Sequence, residues 1–117
     1  MKRLRRGFQI LVIYLLSSCL PINRNTSDLH ISDLTKPLET EVIVELEKDE
    51  FVYKADLIVS GKANGTFKIN NWTFNGPEID TTIFIGDWYG PDYQIQYVPL
   101  EVTTGELDIE VVFYTQR

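Results

Sequence analysis

Apolar and polar residues alternate with a period of two from Glu39 to the end of the chain. The pattern is clearest in residues 106–114, where one face is apolar and the other carries Asp108 and Glu110. The apolar positions of that face are Leu107, Ile109, Val111 and Phe113. Such alternation is typical of a strand with one buried and one solvent-facing side.

Seven short strands are predicted, with turns rich in Gly, Pro and Asn between them. They cover residues 42–46, 51–60, 66–69, 72–74, 81–85, 93–97 and 106–114. The Asn64-Gly65 turn predicts a hairpin between the second and third strands. No helix of any length is predicted. The pattern therefore favours a small antiparallel β-sandwich, with a small β-barrel as the alternative that spacing alone does not exclude.

The first nineteen residues have the three parts of an export signal. A basic start, Lys2–Arg6, precedes the apolar run Phe8–Leu16, and Ser17 and Ser18 lead to Cys19. The apolar run is shorter than the roughly 20 residues that a membrane-spanning helix needs. The pattern indicates a secreted protein whose signal is removed.

The segment Leu16-Ser17-Ser18-Cys19 resembles the lipobox of bacterial lipoproteins. The resemblance implies removal of residues 1–18, and a diacylglycerol thioether and an acylated amine on Cys19. One acyl chain binds a membrane only marginally, whereas two or more anchor a protein stably. Leu20 stands where an Asp would imply retention at the inner membrane, so the resemblance favours the outer membrane. It covers the signal region only, and residues 39–117 show no motif of a known domain family.

Residues 20–38 contain two prolines, many polar residues and no sustained period. This composition predicts a flexible tether, with His30 as a solvated residue in it. The chain is thus predicted to consist of a signal (1–18), a lipidated Cys19 with its tether (19–38) and a β-sandwich domain (39–117).

Charge and composition exclude several classes of function. Four of the eleven basic residues lie in residues 1–18, so the rest of the chain carries seven against seventeen acidic residues, a net charge of −10. Such a body repels nucleic acid. One Cys and one His exclude an intramolecular disulfide, most zinc sites and His-based catalysis. We expect no enzymatic activity, no cofactor and no metal.

Residues 86–93 place three aromatic rings and two carboxylates in a turn that contains Gly86, Gly90 and Pro91. Flat rings on a rigid loop suit stacking on sugars, and carboxylates accept hydrogen bonds from hydroxyl groups. The alternative is that Trp88 and Tyr93 cap the end of the sandwich. The candidate binding residues are Asp87, Trp88, Tyr89, Asp92 and Tyr93.

Six acidic residues between Glu39 and Glu50 form the densest charge run. The run either protects a solvated sheet edge or attracts a basic partner. Together these features predict a lipid-anchored, non-enzymatic module of the cell envelope that docks a protein partner. The alternatives are a carbohydrate-binding accessory that uses the Trp88–Tyr93 loop, and an inhibitor or immunity protein for a cationic envelope enzyme or toxin.

Overall fold

Eight strands and no helix make up residues 22–117, the part of the chain that the computed structural model describes. The predicted signal and the lipidation site Cys19 lie outside these residues, so both stay predictions. The strands are β1 (Ile22–Ile31), β2 (Leu38–Ile43), β3 (Phe51–Ala63), β4 (Thr66–Ile69), β5 (Trp72–Asn75), β6 (Glu78–Asp87), β7 (Asp92–Pro99) and β8 (Gly105–Gln116).

The strands form two antiparallel sheets that face each other. The first sheet has the order β1-β8-β3-β6 and the second has the order β2-β7-β4-β5. At one side of the sandwich the edge strands β1 and β2 contact each other, and at the other side the edge strands β5 and β6 do. The edges of the two facing sheets are therefore aligned. The predicted β-sandwich is confirmed. The barrel alternative is wrong, because within residues 22–117 the sheets do not close on each other.

The core lies between the sheets and follows the predicted alternation. The apolar face of β8 is fully buried at Leu107, Ile109, Val111 and Phe113. In the second sheet the rings of Phe67 and Phe74 stack with centroids 5.3 Å apart, and Tyr97 packs on Phe67 at 5.6 Å. Aromatic side chains therefore fill much of the space between the sheets, which suits a small domain without a disulfide.

The predicted boundary of the domain at Glu39 is wrong, because the predicted tether supplies a strand. All ten residues of β1 pair with β8, and Ile31 and Leu34 are buried in the core. The buried hydroxyl of Tyr97 donates a hydrogen bond of 2.8 Å to the carbonyl oxygen of Leu34. Burial, with a smaller effect of the Asp33 charge, raises the pKa of Tyr97 to about 12.

The lack of an apolar period in β1 has a physical reason. Its half-buried positions include Asn25 and Ser27, which are polar, and only Leu29 and Ile31 mark the inward face. Backbone hydrogen bonds to β8 therefore hold much of this strand, and such bonds leave no trace in the side-chain pattern.

The predicted hairpin at Asn64-Gly65 is also wrong, because β3 and β4 lie in different sheets. The Asn64 side chain fixes the crossing: its carbonyl oxygen accepts hydrogen bonds from the backbone N–H groups of Thr103 and Thr104 at 2.8 and 3.0 Å. The chain bends at Asn64 and Gly65, and this bend carries it from one sheet to the other.

His30 links β1 to β8 on the outer face of the first sheet. Its Nδ1 lies 2.7 Å from the Oδ1 of Asp108, the residue directly opposite, and its Nε2 lies 3.8 Å from Glu106. The hydrogen bond to Asp108 is the main cause that raises the pKa of His30 above 6.5, and the charges of Asp108 and Glu106 add to it.

This contact makes the stability of the β1–β8 pair depend on pH. Because the pKa of His30 is higher in the folded state, its contribution is present below pH 6.5 and is lost as pH rises through the folded-state value. We expect His30→Gln to lower the melting temperature slightly at about pH 5.5 and not at about pH 8.5. An equal effect at both pH values, measured by circular dichroism, would contradict this.

Candidate functional site

The predicted aromatic loop joins β6 to β7 and divides into a buried and an exposed part. The rings of Trp88 and Tyr93 meet edge to face with centroids 5.0 Å apart, and both pack against the core. The Nε1 of Trp88 donates to the carbonyl oxygen of Asp92 at 2.9 Å. The hydroxyl of Tyr93 accepts from the Nδ2 of Asn70 at 3.0 Å, and burial raises the pKa of Tyr93.

The prediction that three rings form one stacking surface is therefore wrong. Tyr93 is only 6% exposed and cannot meet a ligand, and Trp88 is half-buried beside it. The arrangement is the alternative one, in which these two rings cap the core at the start of β7. Tyr89 is 75% exposed, Asp87 is exposed and Asp92 is half-buried, so binding through these three residues stays a prediction.

The acidic run from Glu39 to Glu50 does not form one continuous surface. Glu39 and Glu41 are exposed along β2, the edge strand of the second sheet, where the Nε2 of Gln94 donates to Glu41 at 2.7 Å. Glu47 forms an ion pair with Arg117, and Glu50 accepts hydrogen bonds from Asn25 and Thr115. The run thus combines a charged edge with a turn whose carboxylates are partly engaged within the fold.

A second surface, which the sequence analysis missed, is the open edge of β6. This strand pairs with β3 on one side, and no other strand of residues 22–117 pairs with it. From Thr81 to Gly86 it carries no charged residue, and Phe84 is 77% exposed, the largest exposure among the apolar side chains described as exposed. Edge strands of natural proteins are normally short, charged or covered, because an unpaired edge attracts other strands.

The other three edges of the sandwich follow that rule. β1 presents Arg24, Asp28 and His30, and β2 presents Glu39 and Glu41. β5, the remaining edge, has only four residues. β6 has ten residues and an uncharged half, so it differs from the other edges of the same molecule.

The register along β3 defines the geometry of the open edge. Thr82 lies opposite Ile58 and Phe84 lies opposite Asp56. The register then shifts, leaving Ile85 without a partner before Gly86, whose φ is +88°. This bulge interrupts the pairing, which resumes at Gly86 and Asp87, so the regular part of the edge runs from Glu78 to Phe84.

Beside β6 lies the edge of β5, and the opening between the two strands is a cleft of about 340 Å³. Its apolar lining comes from both sheets: Trp72, Phe74, Ile79 and Ile83. Phe74 and Ile79 are buried, whereas Trp72 and Ile83 are only half-buried. The open side of the sandwich thus combines an unpaired backbone edge with an apolar cleft.

Two carboxylates lie at the start of β6 beside this opening, and Lys62 of β3 lies directly opposite the first of them, Glu78. Glu78 and Asp80 are exposed, and neither forms an ion pair with another residue in the 22–117 range. Asp56, next to Phe84, is only 5% exposed, and its Oδ2 accepts a hydrogen bond of 2.7 Å from the Tyr114 hydroxyl. Its buried Oδ1 has no hydrogen-bond partner among the described residues. Unpaired carboxylate oxygens make this edge favourable for cations.

Comparison with known proteins identifies no family for this chain. No protein-family model matches the chain, and no curated protein sequence matches it. Among solved structures, one match is the crystal structure of FLHE, at a TM-score of 0.43 and 6% sequence identity, covering 84% of this chain and 100% of that one. At these values the likeness supports no inference about function. In residues 22–117 no helix has the length and hydropathy to cross a membrane.

The two parts of the aromatic loop predict different effects of substitution. Trp88→Ala removes a half-buried ring, its contact with Tyr93 and a hydrogen bond, so we expect a loss of about 2 kcal/mol or more in the free energy of unfolding. Tyr89→Ala removes an exposed ring and should change it by less than about 0.5 kcal/mol. Urea denaturation measures the free energy of unfolding of both variants. If Trp88→Ala left it unchanged, Trp88 would again be a candidate binding residue.

Proposed function

We propose that this protein is a lipid-anchored, non-enzymatic module of the bacterial cell envelope that docks a protein partner. The observation that carries the docking role is the open edge of β6, with its uncharged half and the exposed ring of Phe84. Support for the anchor comes from the sequence alone, through the basic and apolar signal and the lipobox-like Leu16–Cys19 segment. The residue after Cys19 favours the outer membrane.

A protein partner fits this edge better than a glycan does. Unpaired backbone groups on a strand are matched by the backbone of another strand, which supplies donors and acceptors at the same spacing. Sugar recognition depends on exposed rings, and among the three rings of residues 86–93 only Tyr89 is exposed. The glycan-binding alternative therefore rests on one ring and its neighbouring carboxylates.

The charge of the domain indicates which kind of protein partner it favours. A net charge of −10 outside residues 1–18 favours association with a basic protein and opposes association with an acidic one. An inhibitor or immunity role toward a cationic enzyme uses the same attraction and differs in requiring much tighter binding. In both roles the partner would contact the open side of the sandwich in the membrane-anchored protein.

The proposal is tested by placing a photo-crosslinking amino acid at one exposed position at a time in the membrane-anchored protein. We expect a crosslinked product of one defined mass from position 84 and none from position 43, an exposed apolar position on the charged edge strand β2. The protein should sediment with membranes, and Cys19→Ala should release it from them or leave an uncleaved precursor.

Each other outcome contradicts part of the proposal. A product only from position 89 would support the aromatic loop, and one only from position 43 would support the acidic edge. No product from any of the three positions would exclude docking of a protein. Unchanged membrane sedimentation and processing of Cys19→Ala would exclude the lipid anchor.

A further inference from the structure

We infer that the open side of the sandwich accepts an extended segment of the partner as a fifth strand of the first sheet, with apolar side chains in the cleft and Lys or Arg side chains on the outer face. This inference rests on the proposed function in taking the partner to be a protein. It adds the mode of binding and the sequence pattern of the segment that binds.

The backbone of β6 provides the pairing. In an antiparallel pair the N–H and C=O groups of a strand point alternately to its two sides, so β6, bonded to β3 on one side, presents unused groups on the other. The regular part of the edge, Glu78–Phe84, is long enough for an added strand of ordinary length. In such complexes the backbone bonds give affinity, and pockets for alternate side chains give specificity.

The cleft selects one face of the added strand. Ile79, Thr81 and Ile83 alternate toward the cleft, where Trp72 and Phe74 of β5 lie on its far side. An added strand beside β6 would direct every second side chain toward this lining. Apolar side chains there would cover the half-buried Trp72 and Ile83 and remove apolar surface from water. The segment therefore needs apolar residues at every second position.

The outer face selects the other positions. Asp80, Thr82 and Phe84 alternate on this side of β6, with Glu78 at the start of the strand. Directly paired side chains of neighbouring strands lie about 4.5–5.5 Å apart at Cβ, so a Lys or Arg on the added strand reaches the carboxylates of Glu78 and Asp80. The buried and unpaired Oδ1 of Asp56, one strand further in, adds negative potential at the same face.

A second copy of this chain is a poor occupant. β6 carries Glu78, Asp80 and Asp87 and no basic residue, so no register of one β6 against another gives a pair of opposite charges. Two copies would also bring two bodies with a net charge of −10 each into contact. Charge complementarity therefore indicates a basic segment of a different protein.

The test uses defined peptides of about eight residues and the full-length protein in a non-ionic detergent. One peptide alternates Val and Lys, a second alternates Val and Glu, and a third has the composition of the first with its four Val and four Lys in two blocks. Hydrogen exchange followed by mass spectrometry should show that only the Val–Lys alternating peptide protects the region of residues 78–87. Added salt should weaken this protection.

Matched variants locate the effect. Phe84→Lys and Ile43→Lys add the same charge at exposed apolar positions on two different edge strands, so both should keep the melting temperature of the native chain. We expect Phe84→Lys to weaken binding of the Val–Lys peptide about tenfold or more and Ile43→Lys to leave it nearly unchanged. Equal weakening by both would show attraction by net charge alone and overturn the inference.

The other outcomes are equally decisive. If the Val–Glu peptide bound at the same strength, the requirement for basic side chains would be wrong. If the block peptide did so, the requirement for alternation would be wrong. Protection of β6 that grows with protein concentration in the absence of peptide would identify a second copy as the occupant. A crosslink from position 84 in cells, without protection by the peptide, would leave the proposed function standing and refute strand addition. Protection by the peptide without any crosslink in cells would support strand addition and refute the proposed function.

Discussion

The pairing of β8 with two strands is the constraint on which the rest of the structure depends. β8 bonds to β1 along one side and to β3 along the other, over most of its length. Every backbone group in its middle can therefore be satisfied while its apolar face, from Leu107 to Phe113, is buried completely. With β8 and β3 in the interior of the first sheet, β1 and β6 are the two edges of that sheet.

The two edges of this sheet then differ in a way that bears on function. At β1 the chain arrives from the predicted membrane anchor, and charged side chains line the strand, including His30 in its contact with Asp108. At β6, on the opposite side of the sheet, the stretch from Thr81 to Gly86 is uncharged and Phe84 is exposed beside an apolar cleft. The proposed binding surface thus lies on the side of the sheet away from the strand that leads to the predicted anchor.

The sequence predicts those parts of the fold that depend on side-chain burial. The strands from Phe51 onward and the buried face of β8 follow from period-two alternation, whereas the strand predicted at residues 42–46 lies earlier, at Leu38–Ile43. β1 could not be predicted from the pattern, because its half-buried positions include the polar residues Asn25 and Ser27. Backbone hydrogen bonds hold much of this strand. The Asn64-Gly65 turn predicts a change of direction and cannot tell whether the next strand stays in the same sheet.

The candidate sites show the same limit. Tyr93 continues the alternation of Ile95 and Tyr97, so its burial could have been predicted from the strand it begins. Thr81–Ile85 is visible as an uncharged run, but nothing in one sequence says whether a strand lies at the edge or in the middle of a sheet. That distinction comes from long-range pairing, which here joins β6 to β3 alone among the described strands.

The openness of β6 can be measured most directly by residue-resolved amide hydrogen exchange, followed by nuclear magnetic resonance, on the dilute protein without a partner. If the edge is unpaired, every second amide between Ile79 and Phe84 should exchange rapidly while its neighbours exchange slowly, and the amides in the middle of β8 should be the slowest in the protein. Slow exchange of all amides along β6 would show that this edge is already paired, and would contradict the account.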